Sequence, residues 1–67
     1  MVEEDMPVVQ VEMWAGRTEE QKEKLIKGIT DAFKEIGVKP EKVTIIIHDI
    51  PKSNWSTGGI PASKINQ

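Results

Sequence analysis

One amphipathic helix between two apolar runs constrains the fold of this chain more than any other feature. Thr18 followed by Gln21 forms a capping-box pattern, which predicts that the helix begins there. Gly37 suits the left-handed residue that closes a helix, and Pro40 prevents the helix from resuming. Between these signals the apolar residues recur at intervals of one, three and four, which gathers them into one stripe: Leu25, Ile26, Ile29, Ala32, Phe33 and Ile36.

The two apolar runs on either side of the helix are predicted strands. Residues 8–14 alternate, so that Val9, Val11 and Met13 share one face. Residues 43–50 form a nearly unbroken β-branched run, which is typical of a strand covered on both faces. Strand, helix and strand in this order predict a single β-α-β unit with parallel strands and a right-handed crossover, in the α+β class.

The remaining segment, residues 51–67, is rich in turn residues but also contains apolar ones. Gly58 and Gly59 predict a hairpin turn between Trp55 and Ile60. We interpret the segment as a short C-terminal hairpin or arm that packs on a neighbouring subunit.

The short length of the chain predicts that it assembles into an oligomer. The chain has 67 residues, no Cys and one His, His48, so that disulfides and a metal site are not expected to support a small core. One helix covers only one face of a two-stranded sheet, and the open face and strand edges need cover from other copies of the chain. We therefore expect a homo-oligomer.

Charge narrows the classes of partner. Nine Lys and Arg residues and eleven Asp and Glu residues are spread along the chain, for a net charge of −2, so no nucleic-acid partner is expected. No apolar run approaches the roughly 18 residues of a membrane span, and the acidic start does not resemble a signal peptide. A cytoplasmic protein without membrane contact is expected.

Few side chains suggest chemistry. Arg17 is the single Arg of the chain, and it lies between Gly16, at the end of the first strand, and the capped helix. In this position a guanidinium could bind an anion beside the free N–H groups of the helix start. A surface Arg at a turn is an equally good interpretation. Trp14 and Trp55 suit packing more than a pocket when taken singly. His48 is interpreted as a strand residue with a satisfied ring, since neighbouring strand residues point to opposite faces and Asp49 cannot assist it.

Several of these features occur together in the segments MPVVQVEMWAGRTEEQKEKLIKGITDAF and VTIIIHDIPKSNWSTGGIPASK. They contain a Pro directly after a Met, a strand ending in Gly-Arg, a Thr-x-Glu-Gln-Lys helix start, an aromatic before Gly-Gly and a closing Ala-Ser-Lys. In this order and spacing, residues 6–64 resemble the 4-oxalocrotonate tautomerase family of the tautomerase superfamily.

The resemblance implies a cofactor-free and metal-free enol–keto tautomerase that acts on small unsaturated 2-hydroxy or 2-oxo acids such as 2-hydroxymuconate. It implies a tautomerase domain over residues 7–67, preceded by an extension over residues 1–6, and a hexamer built as a trimer of dimers. In this family the initiator Met is removed, and the exposed N-terminal Pro is the general base. A free α-amino group has a pKa of about 8, and an apolar pocket beside a cationic Arg lowers the pKa toward neutrality.

The same resemblance assigns roles to individual residues. Pro7 would be the base, and Arg17 would bind the substrate carboxylate. Thr44 stands where members of the family carry a second Arg that polarises the substrate, and Lys42 is a candidate replacement because strand alternation would put it on the same face. The remaining pocket positions are Trp55, Trp14 and Thr57.

The start of the chain decides whether this chemistry is possible. If residues 1–6 are retained, the Pro7 nitrogen is a tertiary amide without a basic lone pair, and Glu3, Glu4 and Asp5 could lie over the pocket mouth. We expect the working chain to begin at Pro7, because the family pattern begins there. The alternatives are a catalytically impaired oligomeric homologue, or a related proline-dependent hydratase or dehalogenase.

Overall fold

The computed structural model of the chain describes residues 6–65. Residues 1–5, including the three acidic residues expected near the pocket mouth, and residues 66–67 lie outside this range. The described part contains four strands and one α-helix: β1 Val8–Trp14, α1 Glu19–Glu35, β2 Thr44–Ile50, β3 Ser56–Thr57 and β4 Ile60–Pro61.

The sheet has the predicted topology. β1 and β2 are parallel, in a register that runs from Val8 opposite Thr44 to Trp14 opposite Ile50. β3 and β4 form a separate antiparallel hairpin. These findings confirm the α+β prediction of a β-α-β unit followed by a C-terminal hairpin.

Both helix boundaries follow the sequence signals. The backbone N–H of Gln21 donates to Thr18 Oγ1 at 3.1 Å, and the backbone N–H of Thr18 donates to Gln21 Oε1 at 3.0 Å. This is the predicted capping box, and it satisfies two donors at the helix start. At the other end Gly37 has φ +97°, a conformation that residues with a Cβ rarely adopt. Pro40 then begins a short 3₁₀ helix, Pro40–Lys42.

The two faces of the sheet differ. On the helix side Val9, Val11 and Met13 are half-buried, as predicted, and the Lys22 ammonium pairs with the Asp49 carboxylate to join α1 to β2. The opposite face is left open: Val8 is 60% exposed and Ile46 39% exposed. The helix therefore covers one face only.

A lone chain encloses very little core. Among residues 6–65, Ala62 is the one buried apolar residue, with 3% of its surface exposed. The Cα radius of gyration is 15.6 Å, whereas a compact domain of this length has about 11 Å. Ile36 and Ile60 remain 73% and 52% exposed. Such an open, elongated subunit fits the prediction of an oligomer, because apolar surface of this extent is normally covered by a partner.

Candidate active site

The first group of predicted site residues lies where both parallel strands begin. Pro7 directly precedes β1 and is half-buried. Its carbonyl oxygen accepts a hydrogen bond of 3.0 Å from the backbone N–H of Thr44, the first residue of β2. We call this region, Pro7 and Thr44, the proline end.

The second group lies where the same strands finish. Trp14 is the last residue of β1, and the following N–H, of Ala15, donates to the Ile50 carbonyl at 2.9 Å. Gly16 then takes φ +127°, which allows the chain to turn toward the helix and leaves Arg17 exposed beyond the sheet. We call Trp14, Arg17, Lys52 and Trp55 the arginine end.

Strand length separates the two groups. β1 has seven residues, and at about 3.3 Å per residue it spans roughly 20 Å. The structure therefore does not bring Pro7 and Arg17 together within one chain. In a single chain the two halves of the predicted site lie at opposite ends of the sheet.

A cleft of about 290 Å³ opens at the arginine end. Its charged side chains are two cations, Arg17 and Lys52, and no carboxylate of residues 6–65 lines it. The residues that line the cleft are Met13, Trp14, Ala15, Gly16, Arg17 and Lys52. This lining is suited to an anion, but neither cationic group is a general base when protonated.

Two tryptophans and one lysine form a stack beside this cleft. The rings of Trp14 and Trp55 meet edge to face, with centroids 5.9 Å apart and planes at 77°. The Lys52 ammonium lies 4.6 Å from the Trp14 ring centroid, a cation–π distance. Trp55 is held from both sides, because its N–H donates to the Lys52 carbonyl at 3.2 Å and its carbonyl accepts from the Ala62 N–H at 2.6 Å.

Lys52 lines the cleft, and the sequence analysis does not single it out. A usable signal existed, since Lys52 follows β2 after Pro51, and the carboxyl ends of parallel strands share one edge. That edge also carries Arg17.

The other two predicted positions lie apart from the cleft. Thr57 is exposed in β3, opposite Ile60 in the hairpin, and Thr44 lies at the proline end.

The prediction that Lys42 shares a strand face with Thr44 is wrong. Lys42 ends the 3₁₀ helix and β2 begins only at Thr44, so strand alternation does not extend back to it.

The acidic groups near the sheet are engaged elsewhere. Glu12 Oε2 lies 2.7 Å from His48 Nδ1 on the open face, and Asp49 pairs with Lys22 on the helix face. This confirms that the His48 ring is satisfied and that Asp49 points away from it.

Within residues 6–65 no group of three or more potential metal ligands comes together. None of the helices described in this range has the length and apolar character of a membrane span.

Comparison with known proteins identifies the family. The family model described as tautomerase enzyme matches residues 7–64. The 2-hydroxymuconate tautomerase of Comamonas testosteroni is 40% identical over 63 residues, covering 92% of this chain and 100% of the relative. The protein of the same name from Bacillus subtilis (strain 168) is 40% identical over 55 residues, covering 81% of this chain and 89% of the relative.

Solved structures give the same result. A 4-oxalocrotonate tautomerase isozyme from Methylibium petroleiphilum superimposes with a TM-score of 0.78 at 45% identity, covering 85% of this chain and 94% of the other. A heterohexameric 4-oxalocrotonate tautomerase from Chloroflexus aurantiacus J-10-fl gives 0.81 at 29% identity, covering 91% and 100%. The chain therefore belongs to the tautomerase family, with 4-oxalocrotonate tautomerases among its similar structures, and it is an isomerase of the tautomerase type.

Proposed function

We propose that this chain, with Pro7 as its N-terminal residue, is an enol–keto tautomerase for small unsaturated 2-hydroxy acids of the 2-hydroxymuconate kind. The observation that carries the proposal is the cleft at the arginine end, whose described lining has cations and an aromatic wall but no general base. A base must come from elsewhere. The family match begins at Pro7, which supports a free proline amine as that base.

The base and the cleft meet when two copies of the chain combine. In the described sheet β1 pairs only with β2, so its other edge is free. Antiparallel pairing of two β1 edges about a two-fold axis places Pro7 of one copy beside Arg17 of the other. The similar structure from Chloroflexus aurantiacus is a heterohexamer; for this chain we propose a homohexamer, a trimer of such dimers.

Two further observations support assembly. The Trp14 indole Nε1 is covered but has no hydrogen-bond acceptor within residues 6–65. A buried donor without an acceptor costs about 1–3 kcal/mol, which a neighbouring copy could remove. The open sheet face around Ile46 needs the same cover.

The reaction then requires one proton carrier. The neutral Pro7 amine takes the proton of the enol hydroxyl, and the electron pair of the broken O–H bond forms the C=O bond. The electron pair of the enol C=C bond moves along the conjugated chain to the carbon that receives the proton from the protonated amine, so that a C–H bond forms there and no proton is gained or lost. Arg17 of the other copy holds the carboxylate, and the two tryptophans exclude water, which strengthens these charge interactions.

The direct test is the ketonisation of 2-hydroxymuconate, followed by ultraviolet absorbance, with chains that begin at Pro7. Replacing the base, Pro7→Ala, should lower kcat by about 10²–10⁴-fold, the usual contribution of a general base. Val8→Ala at the neighbouring position is a matched control that keeps the proline amine. Turnover by Pro7→Ala within about threefold of the unsubstituted chain would contradict the mechanism.

The chain that retains residues 1–6 provides a second comparison. Its Pro7 nitrogen is an amide, so the loss should be at least as large as that of Pro7→Ala, whose N-terminal Ala still carries a basic primary amine. Equal activity with and without the extension would show that the base is another group.

A further inference from the structure

Lys52 is the charged group of the cleft to which the tautomerase mechanism gives no role. We propose that Lys52 is a second substrate-binding cation, which holds the substrate carboxylate jointly with Arg17 from the arginine end. The proposal rests on the proposed function for the identity of the substrate. It also makes a claim about anion binding that can be measured without catalysis.

The local backbone keeps Lys52 at the cleft. Pro51 continues from β2 in an extended conformation, with φ −60° and ψ 146°. The next residues form a 3₁₀ turn, in which the Asn54 N–H donates to the Pro51 carbonyl at 2.8 Å and the Trp55 N–H donates to the Lys52 carbonyl at 3.2 Å. Lys52 therefore starts from a backbone that is fixed on both sides, and its side chain reaches back over the end of β1.

The side chain is oriented by an aromatic face. With the ammonium 4.6 Å from the Trp14 ring centroid, the cation–π contact holds the flexible lysine stem near one position. An ammonium has three N–H donors and no acceptor. A ring face engages the charge without using all of these donors, so Lys52 retains donors for an anion.

Charge around the cleft points the same way. The described lining holds Arg17 and Lys52 and no carboxylate, while the nearby acidic residues Glu12 and Asp49 pair with His48 and Lys22. Two cations that face one space repel each other, and an anion between them removes that repulsion. The planar guanidinium suits bidentate binding of a carboxylate, and the ammonium adds a point charge to the same group.

Lys52 adds a positive charge to a site in which Thr44 stands in place of a family Arg. An uncharged hydroxyl stands at the proline end, where the resemblance predicts an Arg in other family members. Lys52 does not replace that residue in position, because it lies at the opposite end of the sheet. It adds positive charge from the arginine end, where a second copy would bring its Pro7.

The kinetic test uses chains that begin at Pro7. Lys52→Gln should raise KM for 2-hydroxymuconate about tenfold, the scale of one hydrogen bond to a charged group, with kcat within about threefold. Lys52→Arg should restore KM to within about threefold, because it keeps the charge. Lys24→Gln, which removes the same charge from an exposed site on α1, is the matched control and should leave KM unchanged.

A double-mutant cycle separates shared binding from a structural role of Lys52. If both cations hold one carboxylate, the KM increase in Arg17→Ala/Lys52→Gln should be smaller than the product of the two single effects. Independent multiplication of the two effects, or a KM for Lys52→Gln equal to that of Lys24→Gln, would overturn the proposal while leaving the tautomerase function intact.

A binding measurement keeps the proposal testable if no turnover is found. Trp14 and Trp55 adjoin the cleft, so titration with adipate, a six-carbon dicarboxylate, should change tryptophan fluorescence, and Lys52→Gln should raise the adipate Kd about tenfold. This result in an inactive chain would support the Lys52 site and count against the proposed function. A saturable response that Lys52→Gln leaves unchanged, or no saturable response in the unsubstituted chain, would overturn the Lys52 site.

Discussion

The proline end and the arginine end of the sheet are about 20 Å apart, and in the proposed mechanism they supply different parts of one reaction. The proline end has Pro7 and Thr44, and the Thr44 backbone N–H donates to the Pro7 carbonyl. The arginine end has two cations and two tryptophans around a cleft. Neither end can both bind a carboxylate and remove a proton. For this chain assembly would therefore serve catalysis as well as the cover of apolar surface.

Removing the guanidinium at the arginine end should have a larger effect than any change to the helix. Arg17→Ala, in a chain that begins at Pro7, should lower kcat/KM for 2-hydroxymuconate about 10–100-fold, chiefly through KM, because it removes a charged hydrogen-bond donor but leaves the base. Steady-state kinetics measure the effect, and Lys24→Ala on the exposed helix surface controls for loss of a charge. An unchanged KM would mean that Arg17 does not bind the substrate carboxylate, and the role proposed for the arginine end would be wrong.

The elements of this fold could be predicted because each has a local signal. The capping pair Thr18 and Gln21 and the apolar stripe define the helix, and a helix between two strands forces their parallel pairing. The hairpin followed from Gly58 and Gly59, which adopt φ +65° and +82°.

The site could be predicted only in part. The place of Lys52 after β2 is readable from the sequence, but the orientation of its side chain depends on a 3₁₀ turn and on the Trp14 face, neither of which leaves a periodic signal. Lys42 was misplaced because alternation was extended past the start of β2. The separation of Pro7 from Arg17 was within reach of the sequence, since a seven-residue strand lies between them.

The helix cap should affect stability more moderately. Thr18→Ala removes a side-chain acceptor next to the loop that carries Arg17, and should lower the free energy of unfolding by about 1 kcal/mol. Denaturant unfolding at a fixed protein concentration measures it. Thr30→Ala is the matched control, since the Thr30 hydroxyl donates to the Ile26 carbonyl within the helix and alanine has the higher helix propensity. Equal destabilisation by the two substitutions would show that the capping hydrogen bond of Thr18 does not stabilise the start of the helix beside Arg17.

Asp31, further along α1 toward the proline end, should give the smallest effect. The hydrogen bond from Lys27, at 3.0 Å, is the main cause that holds the pKa of Asp31 below its usual value; burial acts in the opposite direction, and the charges of Lys27 and Lys34 add to the lowering. A lowered pKa in the folded state contributes stability above the unfolded pKa, and this contribution is lost as pH falls through the folded pKa.

The test compares unfolding of the unsubstituted chain and Asp31→Asn between pH 7 and pH 3. The stability difference should be constant down to about pH 4, the usual range of an aspartate, and should shrink below it. Kinetic constants at neutral pH should be equal, because Asp31 lies away from the cleft. A difference that grows as pH falls would contradict the sign of the pKa shift.

Subunit complementation tests the division between the two ends most directly. Pro7→Ala and Arg17→Ala chains are unfolded together in equal amounts, refolded, and assayed with 2-hydroxymuconate at low concentration. Random pairing leaves one site in four with both residues intact, so turnover should recover to about a quarter of that of the unsubstituted protein. If the mixture has only the average of the two variants refolded separately, Pro7 and Arg17 do not meet across copies, and the two-copy site is wrong.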